Sequence, residues 1–194
     1  MSTGSESVRP DLVARHAFAR VVVVGTSCSG KSTFARDVAR LAGCPRIELD
    51  ELHWGPGWQP KPHAQFRQLV GQASAADAWV ADGNYGAVRD VLWPKASAII
   101  WLNYSFPRVL WQALKRTLHR CITREPFWHG NRESLRRSFL SKESILVWVL
   151  TTYHRRQREL NALRASGVFP HLHWVEFRHP AHARQWLASF HNID

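Results

Sequence analysis

Cysteine is scarce in this 194-residue chain, and Cys28, Cys44 and Cys121 show no CxxC spacing. An odd, scattered set excludes a disulfide framework and points to a reducing compartment. Long apolar runs are missing too. The longest, Ile145 to Leu150, falls far short of the roughly 20 residues a membrane-spanning helix needs. Residues 1–10 are polar, carry Glu6 and Arg9, and lack the apolar segment of a signal peptide. These absences lead us to expect a cytoplasmic protein without a membrane partner, preceded by a flexible extension over residues 1–18. Negative charge is also in short supply. Fifteen Asp and Glu stand against 26 Lys and Arg, a formal net charge of +11. Such an excess favours anionic partners: nucleotides, nucleic acid or an acidic surface. It concentrates between Ser105 and Leu160, where 12 basic residues face 4 acidic ones. Ten tryptophans are many for this length, and we expect most of them in the core.

What is present alternates. Arg20 to Val24 is a β-branched run ending in glycine, which predicts a strand buried on both faces. Lys31 to Leu41 reads as a helix that Gly43 would cap. Further strands are expected at 46–49, 78–81, 98–103 and 172–177. Helices are expected at 63–75, 107–120, 135–163 and 180–190, with Ile145, Trp148, Val149 and Thr152 on one face of the longest. Residues 54–62, with three prolines and two glycines, read as loop. Strands alternating with helices predict an α/β fold with a doubly wound parallel sheet, in one domain over residues 19–194.

The strongest motif follows the first strand: Gly25-Thr26-Ser27-Cys28-Ser29-Gly30-Lys31-Ser32, then Thr33. GxxxxGKS between a strand and a helix is the phosphate-binding P-loop pattern. Its glycines let backbone N–H groups turn toward a phosphate, and the helix N-terminus adds its positive dipole end. Lys31 is placed to reach the β- and γ-phosphates of ATP, the Ser32 hydroxyl to ligate Mg2+, and Thr33 to lie near the α-phosphate. Cys28 occupies a variable position, and we read it as incidental.

Ligands of open α/β sheets gather at the carboxyl ends of strands. Two more such ends carry carboxylates. Asp82 suits a second magnesium-binding group beside Ser32. Asp50 suits an acceptor hydroxyl, which it would orient or deprotonate, or it shares the metal. Trp54 and Trp58 follow in a loop, free to stack on a planar substrate or to pack that loop down. Arg116, Arg120 and Arg124 recur every four residues and project along one helix face. A phosphoryl transition state carries charge that such arginines stabilise, and a lid over about 120–137 would exclude water. His119, Cys121 and His129 fit no four-ligand zinc pattern.

In this order the motifs resemble the adenylate-kinase-like P-loop proteins, and most closely the topology modulation, or FlaR-like, proteins. The matching stretches are Val23-Val24-Gly25 with Gly30-Lys31-Ser32-Thr33, Leu49-Asp50-Glu51-Leu52-His53-Trp54 with Pro56-Gly57-Trp58, Trp79 through Gly86, and the arginine series up to Gly130-Asn131-Arg132-Glu133. The resemblance implies a nucleoside-monophosphate-kinase-like core of five parallel strands, an acceptor-binding segment at about 50–78, and an arginine lid after the fourth strand. It implies ATP and Mg2+ as ligands, and an acceptor site formed by Asp50, Trp54, Trp58, Asn84 and Tyr85. Asn84-Tyr85-Gly86 stands where adenylate kinases carry an aromatic-proline-arginine turn, which argues against AMP as acceptor. The function expected is ATP- and Mg2+-dependent phosphorylation of a small molecule, a nucleotide or nucleoside among the candidates. A nucleotide-switched nucleic-acid-binding protein and a simple NTPase are the alternatives.

Overall fold

The computed structural model describes residues 18–123 and 145–189. Five strands, β1 (Arg20–Gly25), β2 (Arg46–Glu48), β3 (Trp79–Asp82), β4 (Ala98–Leu102) and β5 (His173–Phe177), form one parallel sheet in the order β2-β3-β1-β4-β5. The helices are α1 (Lys31–Ala42), α2 (Leu49–His53), α3 (His63–Ala73), α4 (Arg89–Leu92), α5 (Phe106–Thr123), α6 (Ile145–Ala165) and α7 (Pro180–Ser189). The predicted alternation stands, with differences at element ends. Leu49, read as strand, opens α2, because the chain turns as soon as Glu48 has paired with Asp82. Residues 135–144 of the long predicted helix lie outside the described residues.

β1 is central because its side chains suit no other place. Val21, Val22, Val23 and Val24 are at most 1% exposed, alternate ones reaching opposite faces of the sheet. On one face, Val21 and Val23 pack with Phe34 and Val38 of α1 and with Val109 of α5. On the other, Val22 and Val24 pack with Phe66 and Val70 of α3, Leu92 of α4 and Trp101. Burying one such aliphatic side chain contributes about 1.5–3 kcal/mol. Helix α6 joins both layers: Val149 and Tyr153 belong to the first core and Leu160 to the second. Between them the Tyr153 hydroxyl donates to the Tyr104 carbonyl (2.8 Å), and the Gln157 amide donates to Asn103 Oδ1 (2.8 Å). This ties the helix to the turn after β4.

The expectation that most tryptophans are core holds narrowly among the described residues, where Trp174 and Trp186 pack against the core clusters. Among the described residues Trp79, Trp93 and Trp101 are buried, while Trp111 and Trp148 are 54% and 48% exposed. Trp148 leaves the face it was assigned to, while Val149 and Thr152 stay buried there with Tyr153, and the Ile145 side chain lies outside the described residues. Phe18, assigned to the extension, packs edge-on against Trp186 of α7 (5.3 Å between ring centres).

β1 is flanked by β3 on one side and β4 on the other, so successive crossovers leave it in opposite directions. Strand order reverses at this point, and a crevice opens at the carboxyl ends there.

Candidate active site

The chain leaves β1 at Gly25 with φ of 151°. A Cβ there would stand 2.7 Å from the Leu102 carbonyl oxygen of β4, so the close approach of the neighbouring strand demands glycine. The turn after β3 grips this residue. The Gly25 N–H donates to Asn84 Oδ1 (3.2 Å), and Asn84 Nδ2 donates to the Gly25 carbonyl. The loop then doubles back, with the Ser29 N–H on the Thr26 carbonyl (3.2 Å). Gly30, in the left-handed region at φ 90°, starts α1 without any side-chain cap. The first-turn amides of an α-helix have no intrahelical partner, so those of α1 face the crevice. The hydroxyls of Thr26 and Ser29 are buried and find no hydrogen-bond partner among the described residues. Open amides, two orphaned hydroxyls and a glycine whose Cβ would meet no protein atom within 4 Å form a donor set that fits a nucleotide phosphate.

Lys31 lies across this loop, its ammonium donating to the Thr26 carbonyl (2.8 Å). Burial pulls its pKa below the usual lysine range, while the fields of Asp50 and Asp82 oppose that shift. The register of β1, β2 and β3 sets Asp82 and the turn that bears Asp50 at the same carboxyl edge as the loop that bears Lys31. Cys28 is not an idle position. It adopts φ 63°, rare for a residue with a side chain, and its Sγ lies 3.8 Å from Nη1 of Arg116. The loop thereby meets α5. Ser32 and Thr33 are exposed at the start of α1, and Ser27 is half-buried in the loop.

Asp82 ends β3, is 4% exposed, and accepts from Nε of Arg46 (3.2 Å). Arg46 also pairs with Glu48 (2.6 Å), because the parallel register sets Glu48 beside Asp82. Nothing in sequence spacing reveals this pair, since Arg46 sits on a different strand. Asp82 Oδ2 accepts no hydrogen bond among the described residues, which leaves it for a cation's water shell.

Asp50 lies in the first turn of α2 and caps no helix, the N-cap position being Glu48. Its Oδ1 accepts the hydroxyl proton of Tyr85 (2.6 Å). Burial, and the negative charge of Asp50 next, push the Tyr85 pKa far above the usual value, so the phenol remains a donor. His53, which carries no signal in the sequence, has its ring centre 4.7 Å from those of both Trp54 and Tyr85 and 5.0 Å from that of Phe66. Its Nδ1 is buried without a partner among the described residues, and burial holds its pKa below the ordinary value. Trp58 meets Trp54 edge-on at 6.0 Å and holds φ 60°. Lys61, likewise unforeseen, fastens this loop by donating to the carbonyls of Glu51, Leu52 and Trp54 (3.0–3.2 Å). Trp54 is thus packed against the Asp50 cluster, which favours the packing alternative for it over free stacking.

Of the arginine series, Arg116 is half-buried beside the loop. Arg120 lies in α5, and its side chain is outside the described residues. Arg124, the lid to residue 137 and His129 also lie outside them.

No protein-family model and no curated protein matches the chain. Solved structures do. A shikimate kinase from Acinetobacter baumannii, in complex with shikimate, superposes with a TM-score of 0.51 at 16% identity, covering 93% of this chain and 95% of that one. A gluconokinase from Sinorhizobium meliloti 1021 gives 0.50 at 20% identity, covering 91% and 93%. With the sheet order and the loop after β1, these likenesses establish that the chain has the fold of the P-loop kinases.

Proposed function

We propose that the protein transfers the γ-phosphoryl group of ATP to a hydroxyl of a small molecule. The observation that carries this reading is Asp50, held by the Tyr85 hydroxyl (2.6 Å) at the carboxyl edge of β1, β2 and β3, beside Asp82 and the loop that bears Lys31. An ATPase needs a lysine and a metal-binding carboxylate. It does not need a second carboxylate held in place by Tyr85.

Gly25 to Thr33 would hold the phosphates. Ser32 and Asp82 would hold magnesium, which when bound neutralises phosphate charge. Asp50, held by Tyr85, takes the proton of the acceptor hydroxyl. The acceptor oxygen forms its bond to the γ-phosphorus, the bond from that phosphorus to the β–γ bridging oxygen breaks, and ADP leaves. Lys31 and Arg116 stabilise the charge on the transferring group, and Arg120 and Arg124 complete this role in the proposed lid. Trp54 and Trp58 wall the acceptor side, together with Asn84 and Tyr85. The proposed chemistry accommodates the motif resemblance to the topology modulation proteins. No helix among the described residues is long and apolar enough to cross a membrane; the cytoplasm is where we expect the protein to act.

A metabolite library incubated with the protein and Mg·ATP tests the reading. One chemical class should gain the mass of a phosphoryl group as ADP appears. ADP release at a rate indifferent to every acceptor would mean a simple NTPase.

A further inference from the structure

Two arginines beside this site have charge that the phosphate loop does not use. Arg89 opens α4 and Arg156 lies in α6, yet they share one carboxylate. Arg89 Nη2 reaches Glu159 Oε1 at 2.5 Å, and Arg156 Nη1 reaches Glu159 Oε2 at 2.8 Å. Arg156 Nη1 also donates to the Asn84 carbonyl (3.3 Å). Both guanidinium side chains are only 20% exposed. Two cations against one anion leave a positive charge in a place largely withdrawn from water, where an unbalanced charge is costly.

The remaining donors make the imbalance specific. Nε and Nη1 of Arg89, and Nε and Nη2 of Arg156, donate to no described residue. The Arg89 guanidinium is held against the Trp93 ring, 5.1 Å from its centre. Both arginines line a narrow cavity with Leu49, Gly83 and Tyr85. Its free volume, about 10 Å³, admits one oxygen-sized atom. Tyr85 is the residue that donates to Asp50, so the cavity and the acceptor carboxylate share a wall. A pair kept only to tie α4 to α6 would need one arginine for one glutamate. The two cations have neutral partners, the Asn84 carbonyl and the Trp93 ring, but no second carboxylate among the described residues, and planar forked donors match a carboxylate or phosphate group.

We propose that Arg89 and Arg156 form an oxyanion subsite for the acceptor. The acceptor is a small hydroxylated anion, held by its carboxylate or phosphate group while its hydroxyl meets Asp50. This rests on the phosphoryl-transfer reading given above.

The test uses the full chain loaded with Mg·ADP, so that the phosphate loop is filled. Hydroxycarboxylates, sugar phosphate monoesters and uncharged polyols of equal size are titrated against it by thermal shift and calorimetry. An anionic arm should bind and the polyols should not; which arm binds names the source of the oxyanion. Arg156→Gln and Arg89→Gln should each weaken that binding by about tenfold or more, with Mg·ADP affinity unchanged. If Arg156→Gln also loses Mg·ADP, then Arg89→Gln and Arg156→Lys, which keeps charge but not the fork, make the comparison. Polyols binding as well as anions, anion binding that survives both glutamine variants, or no anion bound at millimolar concentration would each overturn the subsite. Phosphoryl transfer to an uncharged acceptor would sink the subsite alone. Anion binding without transfer from ATP would sink the kinase reading alone.

Discussion

Asn84 and Gly25 bind each other through two hydrogen bonds, the side-chain amide of one against the backbone peptide of the other. The turn after β3 therefore sets where the phosphate loop begins. The same Asn84 offers its carbonyl to Arg156, so the loop and helix α6 are joined through one residue.

Replacing this amide should loosen the loop without unfolding the sheet. Asn84→Ala is expected to weaken Mg·ADP binding by about tenfold, roughly 1.4 kcal/mol. Asn84→Asp should do worse, since a carboxylate cannot donate to the Gly25 carbonyl. Calorimetric titration of each variant checks both the loss and its order.

Lys31→Ala should leave the fold intact, because the side chain bonds only within its own loop. ATP affinity or turnover should fall about tenfold or more. A folded variant with unchanged ATP binding and turnover would remove the phosphate-site assignment.

Arg120→Ala should lower turnover more than ATP binding, as expected of a group whose partner charge develops in the transition state. Arg184→Ala, on the exposed side of α7, serves as control. Equal behaviour of the two would reduce the arginine series to a basic surface.

His53 gives a pH signature. Its pKa is held below 6.5 in the folded protein, first by burial and then by Lys61, against the pull of Asp50. The unfolded chain thus takes up the proton first on acidification. The stability contributed by neutral His53 is fully present above pH 6.5 and is lost as pH falls toward the folded-state value. His53→Phe should flatten the slope of stability against pH in this window. Identical slopes in chemical denaturation of variant and parent would refute the assignment.

Nucleic-acid binding is separated from kinase action by salt. Non-specific DNA affinity falls with a log–log slope of about −0.9 per phosphate contacted. We expect the protein to lose DNA near physiological salt while keeping its Mg·ATP site. Micromolar DNA affinity there, modulated by ATP, would favour the nucleic-acid alternative.

The sheet was legible where a strand carries its own signal, as in the apolar runs of β1, which ends at Gly25, β3, which ends at Asp82, and β4. The phosphate loop was legible because its function needs a fixed spacing within eight residues. What escaped depends on partners far apart in the chain. Arg46 meets Asp82 only through strand register, and Arg89 meets Glu159 across 70 residues. In sequence, Arg156 looks like its neighbours Arg155 and Arg158, which face outward. His53 and Lys61 escaped for a related reason, since their meaning lies in how the 54–60 loop folds back on α2.

The two outer glycines of the phosphate loop resist replacement on different grounds. At Gly25 the obstacle is room on top of a φ of 151°, with a carbonyl of the adjoining strand in the way. At Gly30 there is room, and the obstacle is the handedness of the backbone at φ 90°, a strain of about 1–2 kcal/mol for an L-residue. Alanine at 25 should therefore appear as a loss of global stability, and alanine at 30 as a loss of nucleotide affinity in a nearly intact fold. A mutational scan across this short stretch would thus separate the demands of architecture from those of chemistry within a single turn of chain.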